Sequence, residues 1–146
     1  MSLILALGSN LGHRRRYLSY AKELLGKQLT LIKEGTILET RPVDYLSQPY
    51  FLNQLVEYEI PKSFSTPQDL LRYTQNIEQT IGRMKSIDKG PRTIDIDILF
   101  YGTHRLTSDQ LTIPHPAWYQ RPFILGPLRD LPYYETLKKI YPQYLS

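Results

Sequence analysis

The stretch Gly90-Pro91-Arg92-Thr93-Ile94-Asp95-Ile96-Asp97-Ile98-Leu99-Phe100-Tyr101-Gly102 decides how the rest of this 146-residue chain is read. From Thr93 to Tyr101 the side chains alternate. That predicts a strand with Ile94, Ile96, Ile98 and Phe100 on one face and Thr93, Asp95, Asp97, Leu99 and Tyr101 on the other. Two carboxylates then share a face, their Cβ atoms about 6.6 Å apart at the usual rise of a strand. Two accounts fit such a pair. A solvated sheet face balanced by lysine or arginine is the commoner occurrence. The other is a seat for two hard cations about 3.5–4 Å apart, the arrangement that serves in-line displacement at phosphorus.

The flanking sequence supplies the frame. Leu3-Ile4-Leu5-Ala6-Leu7 predicts a strand buried on both faces, ended by Gly8-Ser9-Asn10-Leu11-Gly12. A helix follows, with Tyr17, Leu18, Ala21, Leu24 and Leu25 on one stripe and Gly26 as its stop. Neither G-x-x-x-x-G-K-[ST] nor G-x-G-x-x-G is present, so the glycine turn is read as structural and not as a phosphate loop. His13-Arg14-Arg15-Arg16, at a helix start where the macrodipole disfavours cations, is read as a solvated charge cluster. A second strand spans Leu29 to Thr40 with a bulge near Gly35. Arg41 to Pro49 is a proline-bounded loop, and Phe51 to Ile60 is a third strand. Asn53, near its start, is either a turn residue, the commoner case, or an amide offering a donor and an acceptor together to a heterocycle.

Ser65-Thr66-Pro67-Gln68-Asp69 opens a second helix, with Thr66 as the cap and Pro67 in the first helical position. Leu70, Thr74, Ile77 and Ile81 form its buried stripe, and it stops at Gly82. The basic loop Arg83 to Lys89 leads into the opening stretch. Beyond it, His104 to Thr112 reads as a short hairpin and Ile113-Pro114-His115-Pro116 as a rigid extended piece. Tyr134 to Tyr144 is at most a short amphipathic helix. The order strand, helix, strand, strand, helix, strand predicts an α+β, ferredoxin-like βαββαβ sandwich with a mostly antiparallel sheet. Both helices should cover one face, leaving Asp95 and Asp97 on the uncovered one, with the Arg41–Pro49 and Arg83–Lys89 loops placed to close over them.

Composition sets outer limits. The length suits a single domain, 1–146, and 41% hydrophobic with 22% charged residues is ordinary for a soluble globular protein. The absence of cysteine excludes disulfides, thiol nucleophiles and cysteine metal sites, and fits a cytoplasmic protein. No stretch has the length and flanks of a membrane span or signal peptide. A net charge of +4 and a pI near 9.2 imply an anionic partner, nucleic acid or polyphosphate.

Several motifs, in order, resemble those of the 6-hydroxymethyl-7,8-dihydropterin pyrophosphokinases of the folate pathway. They are Gly8-Ser9-Asn10-Leu11-Gly12, Gln48-Pro49 with Leu52-Asn53, Gln75 with Ile77-Glu78 and Gly82-Arg83, the Gly90-to-Asp97 stretch, Pro114-His115, and Arg121 with Phe123. The resemblance implies transfer of the β,γ-pyrophosphoryl unit of ATP to the pterin hydroxymethyl oxygen, with release of AMP and two Mg²⁺ ions on Asp95 and Asp97. It further implies catalytic roles for Arg83 and Arg92, and nucleotide contacts from Glu78, Lys85, Arg92, Ile98, Thr112, His115 and Arg121. Thr40, Val43 and Asn53 match positions that bind the pterin edge, and Phe51 and Phe123 match aromatics that sandwich the ring. The implied partners are ATP and the hydroxymethyl dihydropterin, with no nucleic acid, no membrane and no obligate protein partner. Departures from the family pattern are Lys89 where an aromatic is common, Lys85 and Phe51 in place of arginine and tyrosine, and Arg41 in place of proline.

The rival reading is an RNA-binding module of the same fold class. Against it, the aromatic RNA-binding signature is missing from the central strands, and paired aspartates on the open face repel phosphate unless metals intervene.

Overall fold

A computed structural model of the chain describes residues 1–41, 49–82 and 93–146. Its main sheet contains β1 (Ser2–Ser9), β2 (Leu31–Glu34), β3 (Leu38–Thr40), β4 (Phe51–Glu59) and β5 (Asp95–Tyr101). The strands run in the spatial order β2-β4-β1-β5, β3 also pairs with β4, and every pairing is antiparallel. With helices α1 (Arg14–Leu25) and α2 (Pro67–Gly82) inserted after β1 and β4, this is the expected ferredoxin-like topology.

Local chemistry explains where these elements start and break. The Thr66 hydroxyl accepts the N–H of Asp69 at 3.2 Å, satisfying one of the unpaired donors at the start of α2. Gly35 divides the second strand into β2 and β3. Its N–H donates to Leu55 O at 2.7 Å, an approach so close that a Cβ there would stand 2.8 Å from the same oxygen. Gly26 ends α1 with right-handed torsion angles, so its role as a stop does not draw on the left-handed region.

One face of the sheet carries α1 and α2. Leu3, Leu5 and Leu7 of β1 and Ile94, Ile96 and Ile98 beside them form one core with Leu18, Ala21, Leu70, Ile77 and Ile81 of the helices. Phe100 departs from the alternation. Leu5 pairs with Ile98 but Ile4 pairs with Phe100, so Leu99 is an extra residue and the strand bulges there. The bulge leaves Leu99 on the face that alternation assigns it, adds Phe100 to that same face, and turns Tyr101, which alternation places beside the aspartates, to the helix side.

That opposite face is open only in part. The C-terminal chain folds across the rest as a 3₁₀ turn (Trp118–Gln120), α3 (Pro122–Leu128) and α4 (Tyr134–Ile140). Trp118, Ile124, Leu128, Leu137 and Tyr141 pack with Ile4, Leu55, Leu99 and Phe100 into a second core. The tail that read as at most a short amphipathic helix is thus a structural layer. Its anchor is the buried Glu57 carboxylate, which accepts the Ser2 hydroxyl at 2.8 Å and the Tyr133 N–H at 3.0 Å. The predicted hairpin is β6 (Leu106–Thr107) against β7 (Thr112–Ile113). No helix among the described residues is long and apolar enough to cross a membrane.

Candidate active site

The exposed part of the second face is a cleft of about 240 Å³. Sheet register builds its floor. Gly8 of β1 stands opposite Asn53 of β4 on one side and Asp95 of β5 on the other; Ala6 stands likewise between Leu55 and Asp97. The central strand therefore presents its two smallest side chains where the flanking strands present an amide and two carboxylates. Glycine at position 8 keeps that space free of any side chain. A Cβ there would stand 3.3 Å from Asn53 Oδ1 and 3.6 Å from the Phe51 ring.

On the β4 side, Thr40 pairs with Phe51 at the mouth, and Asn53 Nδ2 donates to Thr40 Oγ1 at 2.5 Å. That bond fixes the amide plane, so its remaining N–H and its Oδ1 are what Asn53 can present to a ligand. Arg41, Phe123, Ile124, Arg121 and His115 complete the lining with Thr40, Phe51 and Asn53. Phe123 enters from the N-terminal turn of α3, with Arg121 just before it and its guanidinium 5.8 Å from the Phe123 ring centre.

The β5 side continues round the sheet edge into a second cleft of about 260 Å³, lined by Leu71, Ile96, Asp97, Ile98, Leu111, Thr112 and His115 among others. Asp97 and His115 line both clefts. His115 is tied to β5 by its N–H to Leu99 O, and its Nδ1 accepts the Ala117 N–H at 3.3 Å, leaving the ring proton on Nε2. Burial lowers its pKa; Asp97 opposes that shift and Arg121 adds to it.

Of the residues singled out from sequence, Thr40, Phe51, Asn53, Asp95, Asp97, His115, Arg121 and Phe123 meet in the first cleft, while Ile98 and Thr112 line the second. Glu78 is placed differently. Its Oε2 accepts the N–H of Ile96 at 2.8 Å, so part of that carboxylate holds the outer edge of β5. Val43, Arg83, Lys85 and Arg92, with Lys89, lie outside the described residues, as do most of the two loops expected to close over the site. Gly8, quoted only within a motif, and Ala6, Leu71 and Leu111 have no site role in the reading of the sequence. Cross-strand register reveals Gly8 and Ala6, and the common lining of the second cleft reveals Leu71 and Leu111.

Asp95 is half-buried and Asp97 exposed, both on hard oxygen donors facing a cleft kept open by Gly8 and Ala6. That donor set fits Mg²⁺, which takes one or two carboxylates and completes its shell with water and phosphate oxygens. Among the described residues no group of three or more acidic, histidine or cysteine side chains forms a closed metal cage.

A ferredoxin-like sandwich with one cleft on its second sheet face and another round the β5 edge, the two sharing a carboxylate wall, is the class of protein that fold and site define. The family model described as 7,8-dihydro-6-hydroxymethylpterin-pyrophosphokinase matches residues 4–133. A Bacillus subtilis protein named 2-amino-4-hydroxy-6-hydroxymethyldihydropteridine pyrophosphokinase is 43% identical over 87% of this chain and 75% of its own. The folate synthesis bifunctional protein of Pisum sativum is 39% identical over 88% of this chain, which spans 25% of that longer protein. A solved Plasmodium falciparum HPPK-DHPS triple mutant with pteroate has the same fold, with a TM-score of 0.64 at 17% identity over 98% of this chain and 44% of that one. The chain belongs to the 7,8-dihydro-6-hydroxymethylpterin-pyrophosphokinase family and is a pyrophosphokinase of folate synthesis; nothing in these matches supports the RNA-binding alternative.

Proposed function

We propose that the first cleft holds 6-hydroxymethyl-7,8-dihydropterin, that the second holds ATP, and that Asp95 and Asp97 hold two Mg²⁺ ions between them. The observation that carries this reading is Gly8, which separates Asn53 from Asp95 by a gap without a side chain. A flat heterocycle bound on the Asn53 side can then direct a substituent across Gly8 toward the carboxylates.

Phe51 and Phe123 supply apolar faces for the ring, and Asn53 reads its edge with one donor and one acceptor. ATP lies against Leu71, Ile98 and Thr112, its triphosphate directed to the shared wall. There His115, kept neutral by burial, donates through Nε2, and Arg121 donates paired hydrogen bonds to phosphate oxygens from the adjoining first cleft. Arg83, Lys85 and Arg92 are assigned to the triphosphate, and Val43 to the pterin, on the family resemblance. The ions, when bound, neutralise charge on the triphosphate and ease loss of the hydroxymethyl proton. The protein's own contribution is alignment of the attacking oxygen with the β-phosphorus, and no side chain is assigned as general base. We place this reaction in the cytoplasm.

The test is AMP formation. It should require ATP, the hydroxymethyl dihydropterin and Mg²⁺ together. Asp97→Asn should lower turnover at least about 100-fold with the fold retained. AMP release that ignores the pterin, or full activity in Asp97→Asn, would overturn the reading.

A further inference from the structure

The basic run at the start of α1 reads from sequence as solvated charge, yet Arg14 is differently placed from Arg15 and Arg16. Its neighbours are exposed, whereas Arg14 Nη1 donates to the Tyr50 carbonyl at 2.8 Å and pairs with Glu39 Oε2 at 2.8 Å. Those two partners have a common relation to the cleft. Glu39 immediately precedes Thr40 and Tyr50 immediately precedes Phe51, and Thr40 and Phe51 are cross-strand partners on the cleft wall. One guanidinium on α1 thus grips both strands of the β3–β4 pair at the residues next to those lining the cleft. Glu39 points to the opposite face from Thr40, as strand alternation requires, so the grip acts from behind the wall.

We infer that Arg14 is a positioning residue for the substrate cleft, holding Thr40 and Phe51 at the spacing that the pterin ring requires. This rests on the placement of the pterin proposed above. Both partners meet the same nitrogen, Nη1, whose two N–H donors serve the Glu39 carboxylate and the Tyr50 carbonyl at once. The Arg14–Glu39 pair is substantially exposed, with side-chain exposures of 30% and 51%, so its effect on global stability is small while its effect on local alignment is not. Arg14 lines neither cleft, so its loss removes no direct contact with either substrate.

The experiment is steady-state kinetics with both substrates on the wild type, Arg14→Ala, Arg14→Lys, Glu39→Gln and Phe51→Ala, alongside thermal midpoints. Arg14→Ala should raise KM for the pterin roughly 5- to 20-fold while KM for ATP stays within about twofold. Arg14→Lys should recover part of that loss, and Glu39→Gln in an Arg14→Ala background should add less than it does alone. An unchanged pterin KM in Arg14→Ala, or pterin and ATP KM values rising in proportion with a fallen thermal midpoint, would overturn the positioning role. Phe51→Ala separates the two levels. If it raises pterin KM and Arg14→Ala does not, the positioning role alone fails; if Phe51→Ala has no effect, the cleft assignment fails and the inference with it.

Discussion

Glu57 Oε1 accepts the backbone N–H of Tyr133 at 3.0 Å, across 76 positions of sequence and fully out of solvent. The same carboxylate accepts the Ser2 hydroxyl, so one side chain of β4 fastens the start of β1 and the approach to α4. Glu57→Ala leaves both donors buried without it and should lower unfolding free energy by about 3 kcal/mol. Glu57→Gln keeps a carbonyl for Tyr133 and should cost about 1 kcal/mol. Urea midpoints of the two variants check the ranking. Equal losses would show that the charge, and not the acceptor, holds the layer.

Gly8 makes a sharper case for the cleft. Its Cβ position already lies 3.3 Å from Asn53 Oδ1, so Gly8→Val fills the gap between amide and carboxylate. Pterin affinity measured calorimetrically should fall at least tenfold, about 1.4 kcal/mol, with ATP affinity much less affected.

At Gly35 the obstacle is backbone. A Cβ would stand 2.8 Å from Leu55 O, which belongs to the central pairing of β4 and cannot move as a flexible side chain does. Gly35→Ala should cost about 1–3 kcal/mol of stability, read as a lowered urea midpoint with an unchanged slope.

Alkaline pH should loosen the fold through Tyr58. Its hydroxyl is pushed well above the ordinary 10.0, first by burial and then by Glu34 and Tyr73. In the unfolded chain it releases its proton near pH 10, while the folded chain keeps it to higher pH. Above about pH 10 the folded state therefore binds more protons, and stability, intact below that pH, falls by about 1.4 kcal/mol per pH unit for this one group. Burial raises Tyr73, Tyr101 and Tyr133 in the same direction. Denaturation midpoints at pH 9 and pH 11 should differ less in Tyr58→Phe than in the wild type.

Much of this was legible in the chain. The alternation from Thr93 to Ile98 and the Thr66 cap each depend on interactions within a few residues, and each is found where the pattern places it. At Gly35 the expected bulge is instead a break between β2 and β3, set by a bond to distant Leu55, and the register shift lies between Leu31 and Lys33. What was not legible depends on partners far along the chain. Alternation assigns Phe100 to the helix face, and only pairing with β1 shows that Leu99 is an inserted residue. The layer formed by α3 and α4 consists of two seven-residue helices, one containing Pro127, too short for a helical period to declare itself. Arg14 looked like any exposed arginine because its partners lie 25 and 36 residues away.

The bulge at Leu99 has a consequence for what this strand can tolerate. Up to Ile98, every second residue of β5 faces the first cleft; from Phe100 onward the phase is reversed and consecutive side chains are committed to packing. The strand is two reading frames joined at one residue. Its first half is free to vary in chemistry on alternate positions without disturbing Phe100 and Trp118, whose rings meet edge-on at 5.0 Å. Deleting Leu99 would restore strict alternation, leaving Phe100 opposite Ile4 on the face of the C-terminal layer and costing that core only the Leu99 side chain.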